Sequence, residues 1–212
     1  MISIADQVFE ELERDILSGV YERDEIVTEN KLSEQLGVSR TPIREALRRL
    51  EQEHIIESTS KGARVIGITR ADIADICEIR LRIEGMASRW AAERADAAGI
   101  QALKDVVDLQ EFYTQKNDAE NLKNIDTRFH QTIYALCGSN SMRDTLEPLH
   151  RKLLKYRRVS LGQPDRAVRS LDEHRAIYQA IADHNGNDAE RLTILHVQNA
   201  YEAIMQREME KQ

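Results

Sequence analysis

LSEQLGVSRTPIREALRRL, residues 32–50, is the stretch whose reading decides the fold. It sets two apolar-periodic segments on either side of a Gly-Val-Ser break. Gly37 stands where a glycine ends a helix, and Val38 with Ser39 makes the turn. Pro42 suits the first position of the next helix, with Thr41 as its N-cap. Ile43, Ala46, Leu47 and Leu50 then form one buried stripe. Upstream, Ala5 to Ser18 repeats Val8, Leu12 and Ile16, with Phe9 beside them, and stops at Gly19. EIVT, residues 25–28, is a short β-like run, and Thr28 is placed to cap the helix that carries Leu32 and Leu36. Downstream, IIEST (55–59) and ARVIGIT (63–69) read as two strands around a turn at Ser60, Lys61 and Gly62. Helix, helix, short turn, helix and hairpin in that order make a winged helix-turn-helix.

The rest of the composition bounds what this head is attached to. The chain has 212 residues, 41% hydrophobic and 32% charged, with only three prolines and nine glycines, which fits a folded and mostly α protein. Its longest apolar runs are far short of the roughly 20 residues that span a bilayer. The acidic, amphipathic start is no signal peptide, so a cytoplasmic protein is expected, with Cys77 and Cys137 as reduced core thiols. The net charge of −7 excludes a uniformly basic coat. One local exception stands out, since Ser39 to Arg49 holds Arg40, Arg44, Arg48 and Arg49 against a single acid, Glu45. Arginines at the N-terminal end of a helix oppose its dipole, a cost that phosphates and base edges offset. DNA binding through Arg40, Arg44 and Arg48 is the expectation, against the plainer reading of a solvated charged face.

After Thr69 the strand pattern stops, giving domains 1–69 and 70–212. Six helical segments are expected, roughly 71–95, 98–116, 119–137, 141–158, 167–184 and 187–209, separated by turn-rich breaks and packed as an antiparallel bundle. On helical wheels, Leu122, Ile125, Phe129, Ile133 and Leu136 define one inward arc, with Asp126 inside it and His130 at its edge. Val168, Leu171, Tyr178 and Ile181 bracket His174, and Leu192, Leu195, Ala200 and Ala203 bracket His196. One acid and three imidazoles thus aim into one core. A buried carboxylate needs a partner. Hydrogen bonds to histidine or arginine would serve, and so would a divalent cation such as Zn, Ni or Mn, which suits carboxylate plus imidazole. His150 shares an inward arc with Leu146, Leu149 and Leu153 and reads as a core or supporting histidine. Arg80, on a face with Ile73, Ile76, Ile83 and Ala87, needs an anion, which is either an internal acid or the carboxylate of a ligand.

Two resemblances follow. Residues 31–65, with LSEQLGVSRTPIREAL and the wing glycine Gly62, resemble the DNA-binding head of the GntR regulators. That resemblance implies a transcription factor, typically a repressor, which binds a palindromic operator as a homodimer. It implies base or phosphate contacts from Arg40 and Arg44, a phosphate contact from Thr41, and minor-groove contact from Lys61 with Gly62. The sequence departs from many relatives at Asn30, where they carry an arginine. ICEIRLRIEGMASRWAAERA (76–95), DTRFHQTIYALCGSN (126–140), DEHRAIYQAI (172–181) and DAERLTILHV (188–197) are similar to the FCD ligand-binding domain of the FadR branch. In metal-bearing members a D-x-x-x-H pair and two later histidines hold the ion, which implies Asp126, His130, His174 and His196 here. The same resemblance implies a small carboxylate effector, with Arg80 lining its pocket, and six helices suggest the shorter, VanR-like version. The rivals are a metal-dependent hydrolase, for which no base or nucleophile elbow is evident, and a regulator whose metal is purely structural.

Overall fold

The computed structural model describes residues 3–210, and their contacts divide them into two compact units, with the boundary between Thr69 and Arg70.

In the first unit, helix α1 (Ile4–Ser18) begins at a capping box of Ser3 and Asp6 and ends at Gly19, which is left-handed at φ 85°. A short strand β1 (Ile26–Val27) leads to α2 (Glu29–Leu36). Thr28 caps α2 by accepting the Lys31 N–H, and Gly37 closes it at φ 66°. Helix α3 (Arg40–Gln52) follows, then β2 (Ile56–Thr59) and β3 (Gly62–Val65). The antiparallel sheet has the order β1-β3-β2, with Ile26 opposite Arg64 and Thr59 opposite Gly62. Leu12, Leu32, Ile43, Ala46, Leu50, Ile55 and Val65 form its buried core, while Leu47 is only partly buried.

Two local expectations shift. The α3 N-cap is Ser39 rather than Thr41, so Pro42 is the third helical residue rather than the first. That position still lies in the opening turn, where a missing N–H breaks no helical bond. The wing turn is Ser60-Lys61, with Gly62 already in β3. Gly62 has φ 138°, and a Cβ there would lie 2.6 Å from the Val27 carbonyl oxygen, so only glycine lets β3 close on β1.

The second unit is all helix: α4 (Arg70–Arg94), α5 (Ala97–Gln115), α6 (Ala119–Leu136), α7 (Asn140–Lys152), α8 (Leu154–Leu161), α9 (Pro164–Ala182) and α10 (Gly186–Glu210). The described residues of this unit therefore hold seven helices where six were expected, and the helix count gives no support to a shorter version. The segment expected at 141–158 breaks at Leu153, whose backbone (φ −92°, ψ 8°) leaves the helical region. Its N–H bonds back three residues to His150 O at 3.3 Å, and Pro148 has already removed one ladder donor. The apolar pattern runs through the break, because Leu146 and Leu153 are both fully buried.

The core gathers Ala91, Leu103, Val106, Phe129, Ile133, Tyr134, Leu146 and Ile181. Gly85 lets α4 and α10 approach closely, since a Cβ there would sit 2.9 Å from the Ile194 side chain. Two wheel positions are corrected. Val168 and Leu195 are 49% and 46% exposed. The buried faces of α9 and α10 are centred instead on Ser170, His174 and Ile177, and on Thr193, His196 and Val197. Hydrogen-bonded polar residues occupy those centres, as where Thr193 donates to Ser88 Oγ at 2.7 Å, so a wheel weighted by hydrophobicity is pulled off axis. Among the described residues, no helix is long and apolar enough to cross a membrane.

Candidate functional site

The first unit presents a basic edge. Arg40, Thr41, Arg44 and Arg48 are exposed along α3, and Lys61 is exposed at the wing tip. Ser39 makes no side-chain capping bond, so the first-turn donors of α3 lie beside Arg40 and Thr41, an arrangement suited to phosphate. Arg44 and Arg48 line a groove with Thr59 and Gly62 of the hairpin. Arg44 is held by Glu29, at 2.9 Å from Nε and 2.8 Å from Nη2. A guanidinium fixed on one edge keeps its remaining N–H groups pointed outward. Arg49 does different work, pairing with Asp6 at 2.7 Å and lying 3.9 Å over the Phe9 ring.

In the second unit, α6, α9 and α10 bring Asp126, His130, His174 and His196 together. One ligand atom from each lies within 4.8 Å of all the others, and all four residues are buried. The His196 Nε2 is 3.3 Å from both His174 Nε2 and His130 Nε2. Asp126 Oδ1 is 3.8 Å from His174 Nε2 and 4.0 Å from His130 Nε2. Phe129 stacks on His174 at 3.8 Å between centroids and fixes the plane of that ring.

The other face of each ring settles its proton. His130 Nδ1 lies 2.6 Å from Glu84 Oε1, His174 Nδ1 lies 2.7 Å from Gln110 Oε1, and His196 Nδ1 lies 2.7 Å from Glu173 Oε2. All three partner atoms only accept, and Gln110 is oriented by donating its amide N–H to Ser170 Oγ. Each Nδ1 therefore donates, and in the neutral ring that leaves the lone pair on Nε2. Three lone pairs and one carboxylate face a common centre with no donor among them. A cation is what such a set lacks, and an acceptor behind each imidazole is the usual support of a metal-bound histidine. The donor set fits a first-row divalent ion.

The electrostatics agree. Burial, with the His196 ring beside it, pushes His174 well below the usual histidine range, and burial also lowers His196. Burial alone would raise Asp126, but the Arg157 guanidinium 2.5 Å away holds its carboxyl far below the usual carboxylate range. Burial opposes the charge on Glu84 too, and Arg80 with His130 overcomes it. Arg80 is paired with Glu84 at 2.7 and 3.2 Å, so Glu84 is its internal acid. Arg80 also lines a cavity beside the cluster, together with His150, Arg157 and Arg166. Glu84, Gln110, Arg157, Arg166 and Glu173 were not singled out in the sequence. Glu84 had a signal, lying one turn beyond Arg80 on the same face, and Arg166 with Glu173 had a weaker one, two turns apart on α9; Gln110 and Arg157 find their partners only through tertiary packing. His54 belongs to the first unit, and His184 of the second lies outside the cluster, with its Nδ1 bonded to the Ala92 carbonyl at 2.7 Å.

Comparison with known proteins agrees with both units. Residues 4–66 match the bacterial regulatory proteins of the gntR family, and residues 75–199 match the FCD domain. A gluconate operon transcriptional repressor of Bacillus licheniformis is 32% identical over 182 residues, covering 81% of this chain and 72% of that protein. The chain belongs to the GntR family. Another relative, the HTH-type transcriptional repressor RspR of Escherichia coli, is 24% identical over 204 residues, covering 96% of this chain and 90% of that protein. Among solved structures, E. coli McbR/YncC shares the fold, with a TM-score of 0.85 at 20% identity over 98% of this chain and 99% of that one. The families and relatives of this GntR protein are transcriptional regulators, not enzymes, which sets the hydrolase reading aside.

Proposed function

We propose that this GntR-family protein is a cytoplasmic transcriptional repressor that binds a palindromic operator as a homodimer and answers to a small carboxylate effector held beside a divalent metal. The observation that carries the sensor reading is the convergence of three Nε2 lone pairs and the Asp126 carboxylate, with every Nδ1 already committed to an acceptor. Asp126, His130, His174 and His196 would hold the ion; Zn, Ni and Mn all suit the set. When bound, the ion supplies a concentrated positive charge that attracts carboxylate oxygens. Arg80, kept in place by Glu84, lines the same cavity and would meet an effector carboxylate there. Arg40, Thr41, Arg44 and Arg48, with Lys61 and Gly62 of the wing, would contact the operator, the arginines reading bases or phosphates. An effector that favours one arrangement of the DNA-binding heads by about 1–3 kcal/mol shifts operator affinity roughly 5–150-fold.

The test couples two measurements on the full chain. Elemental analysis should find one divalent ion per chain in the wild type and none in His174→Ala. An operator fragment selected from random DNA should bind more weakly when an effector from a carboxylate panel is added, and only in the metal-loaded protein. Equal metal in the two proteins refutes the site. A bound metal with operator affinity indifferent to every acid would make the ion structural.

A further inference from the structure

Helix α8 is set between two breaks. Leu153, before it, leaves the helical region at φ −92°, ψ 8° and gives α8 no side-chain cap. Gln163, after it, is extended at ψ 120° and makes no side-chain capping bond to α9. A helix of eight residues has little stability of its own in water, so its surroundings must hold it. Its buried residues are Arg157, Ser160 and Leu161, of which only Leu161 is apolar. Leu161 packs in a small cluster with Leu122 and Ala167, apart from the main core of the unit. Val159 is 38% exposed. Hydrophobic anchoring grows with the apolar area removed from water, and one buried apolar side chain gives α8 little of it.

Arg157 supplies what packing does not. Its Nη1 donates to Asp126 Oδ2 at 2.5 Å and to Thr127 Oγ1 at 3.1 Å, both on α6, and its Nη2 donates to the His150 carbonyl at 3.3 Å, across the break from α7. Arg158 adds only an exposed pair with Glu120 at 3.4 Å, which solvent screens. The three buried residues of α8 all line the cavity beside Asp126 and His130. That cavity is shut, since the volume open to the centre of a water molecule is about 20 Å³, room for about one water. Around it collect the five buried side-chain atoms that have no hydrogen-bond partner among the described residues: His150 Nδ1 and Nε2, Arg157 Nε, and Arg166 Nε and Nη1. Such orphans are rare, and each raises the free energy of the packed state. Contact with solvent would satisfy them, so the shut position is held by Arg157 against an opposing pull.

We infer that α8 is a lid that swings outward between Leu153 and Gln163, that Arg157 is its latch on Asp126, Thr127 and the His150 carbonyl, and that any molecule larger than water enters the cavity only while the latch is open. The inference depends on neither a metal nor a particular effector. The chain also carries its own reporter of the motion. Cys77 lines the cavity from α4 and is 1% exposed. Burial pushes its thiol up to about 11, so alkylating reagents act on it only when solvent reaches it. Cys137, with no exposure, belongs to the main core instead and reports the opening of that core.

The experiment treats the full chain with iodoacetamide near neutral pH and follows each cysteine by peptide mass spectrometry. Cys77 should be alkylated at least about tenfold faster than Cys137, because a lid on one charge-assisted latch opens more often than a packed core. Arg157→Met removes the latch and should speed Cys77 by a further factor of about ten, with Cys137 unchanged. Thr127→Val takes one acceptor from Arg157 and leaves the Asp126 pair, so it should speed Cys77 by less; it decides the matter if the first variant does not fold. Hydrogen exchange locates the motion, since the amides of residues 154–161 should open together and ahead of those of α6 and α9. Equal alkylation of the two cysteines in the wild type overturns the inference. So does a Cys77 rate that stays the same in the folded variants, or α8 amides as well protected as those of α6 and α9. A rise that Cys137 shares equally would make Arg157 a stabiliser of the whole unit and remove the latch.

Discussion

Lowering the pH of the metal-stripped protein from about 7.5 to about 5.5 should expose the cost of keeping two buried imidazoles neutral. Burial, with the Arg157 guanidinium next, pushes His150 well below the usual histidine range, and burial with the His196 ring does the same to His174. Both rings are essentially inaccessible, at 1% and 0% exposure. A folded-state value below the unfolded one means that the unfolded chain binds more protons as the pH falls. The stability is therefore complete above the unfolded value near 6.5 and drains away toward the lower folded value. Each ring loses about 1.4 kcal/mol across this interval, so the two together lose about 3 kcal/mol. In a chain of this size each kcal/mol moves the melting temperature by roughly 2–4 °C, so a fall on the order of 10 °C is expected. Aspartates and glutamates contribute little, because they titrate below the interval. Far-ultraviolet circular dichroism, which reports mainly the helical second unit, measures the melt. Replacing His150 with leucine removes one contributor and should reduce the pH dependence, leaving what His174 and the less strongly lowered His196 supply. A melting temperature that stays flat over the interval, or a slope unaffected by His150→Leu, would refute the claim that these imidazoles are buried and neutral.

Arg44→Ala should weaken operator binding by about 1–3 kcal/mol and flatten its dependence on salt, read by fluorescence anisotropy at several ionic strengths. Glu29→Gln loosens the brace on Arg44; reduced discrimination between the selected site and single-base variants is the outcome to look for, and unchanged discrimination would show that the brace does not matter. Gly62→Ala puts a Cβ 2.6 Å from the Val27 carbonyl oxygen, so the head should lose about 1–3 kcal/mol in a denaturant melt. Leu50→Ala, at a position with no exposure, should cost the same head about 2–5 kcal/mol.

The head was legible almost residue by residue because its signals are local. Gly19, Gly37 and Thr28 announce helix ends through their own conformational preferences, and the apolar stripe of α3 needs only its spacing. The exceptions were equally local: Ser39 and Thr41 compete for one cap, and sequence does not say which residue turns outward. Asp126 and His130 were readable as one turn of one helix. His174 and His196 were readable as polar residues among apolar ones, even though Val168 and Leu195 drew their arcs off centre. What could not be read was the far side of each ring. Gln110 meets His174 across 64 positions, and Arg157 meets Asp126 across 31. No periodicity within one helix encodes such pairings. The break at Leu153 was hidden for a related reason, because the residue that ends α7 is itself part of the core.

The acceptors behind the three imidazoles come from α4, α5 and α9, while Asp126 and the imidazoles themselves sit on α6, α9 and α10, and Arg157 of α8 holds the carboxylate. Six of the seven helices among the described residues of the second unit therefore place a side chain in the buried Asp126–histidine cluster or directly behind it. Such a centre acts as a keystone, because the arrangement of each ring is set by a different pair of helices. Displacing one ring would disturb its Nδ1 acceptor, and with it the helix that carries that acceptor. A change of an ångström at this point would be shared among most of the bundle rather than absorbed by one loop, which is the mechanical property a sensor needs if a small molecule is to be felt far from where it binds.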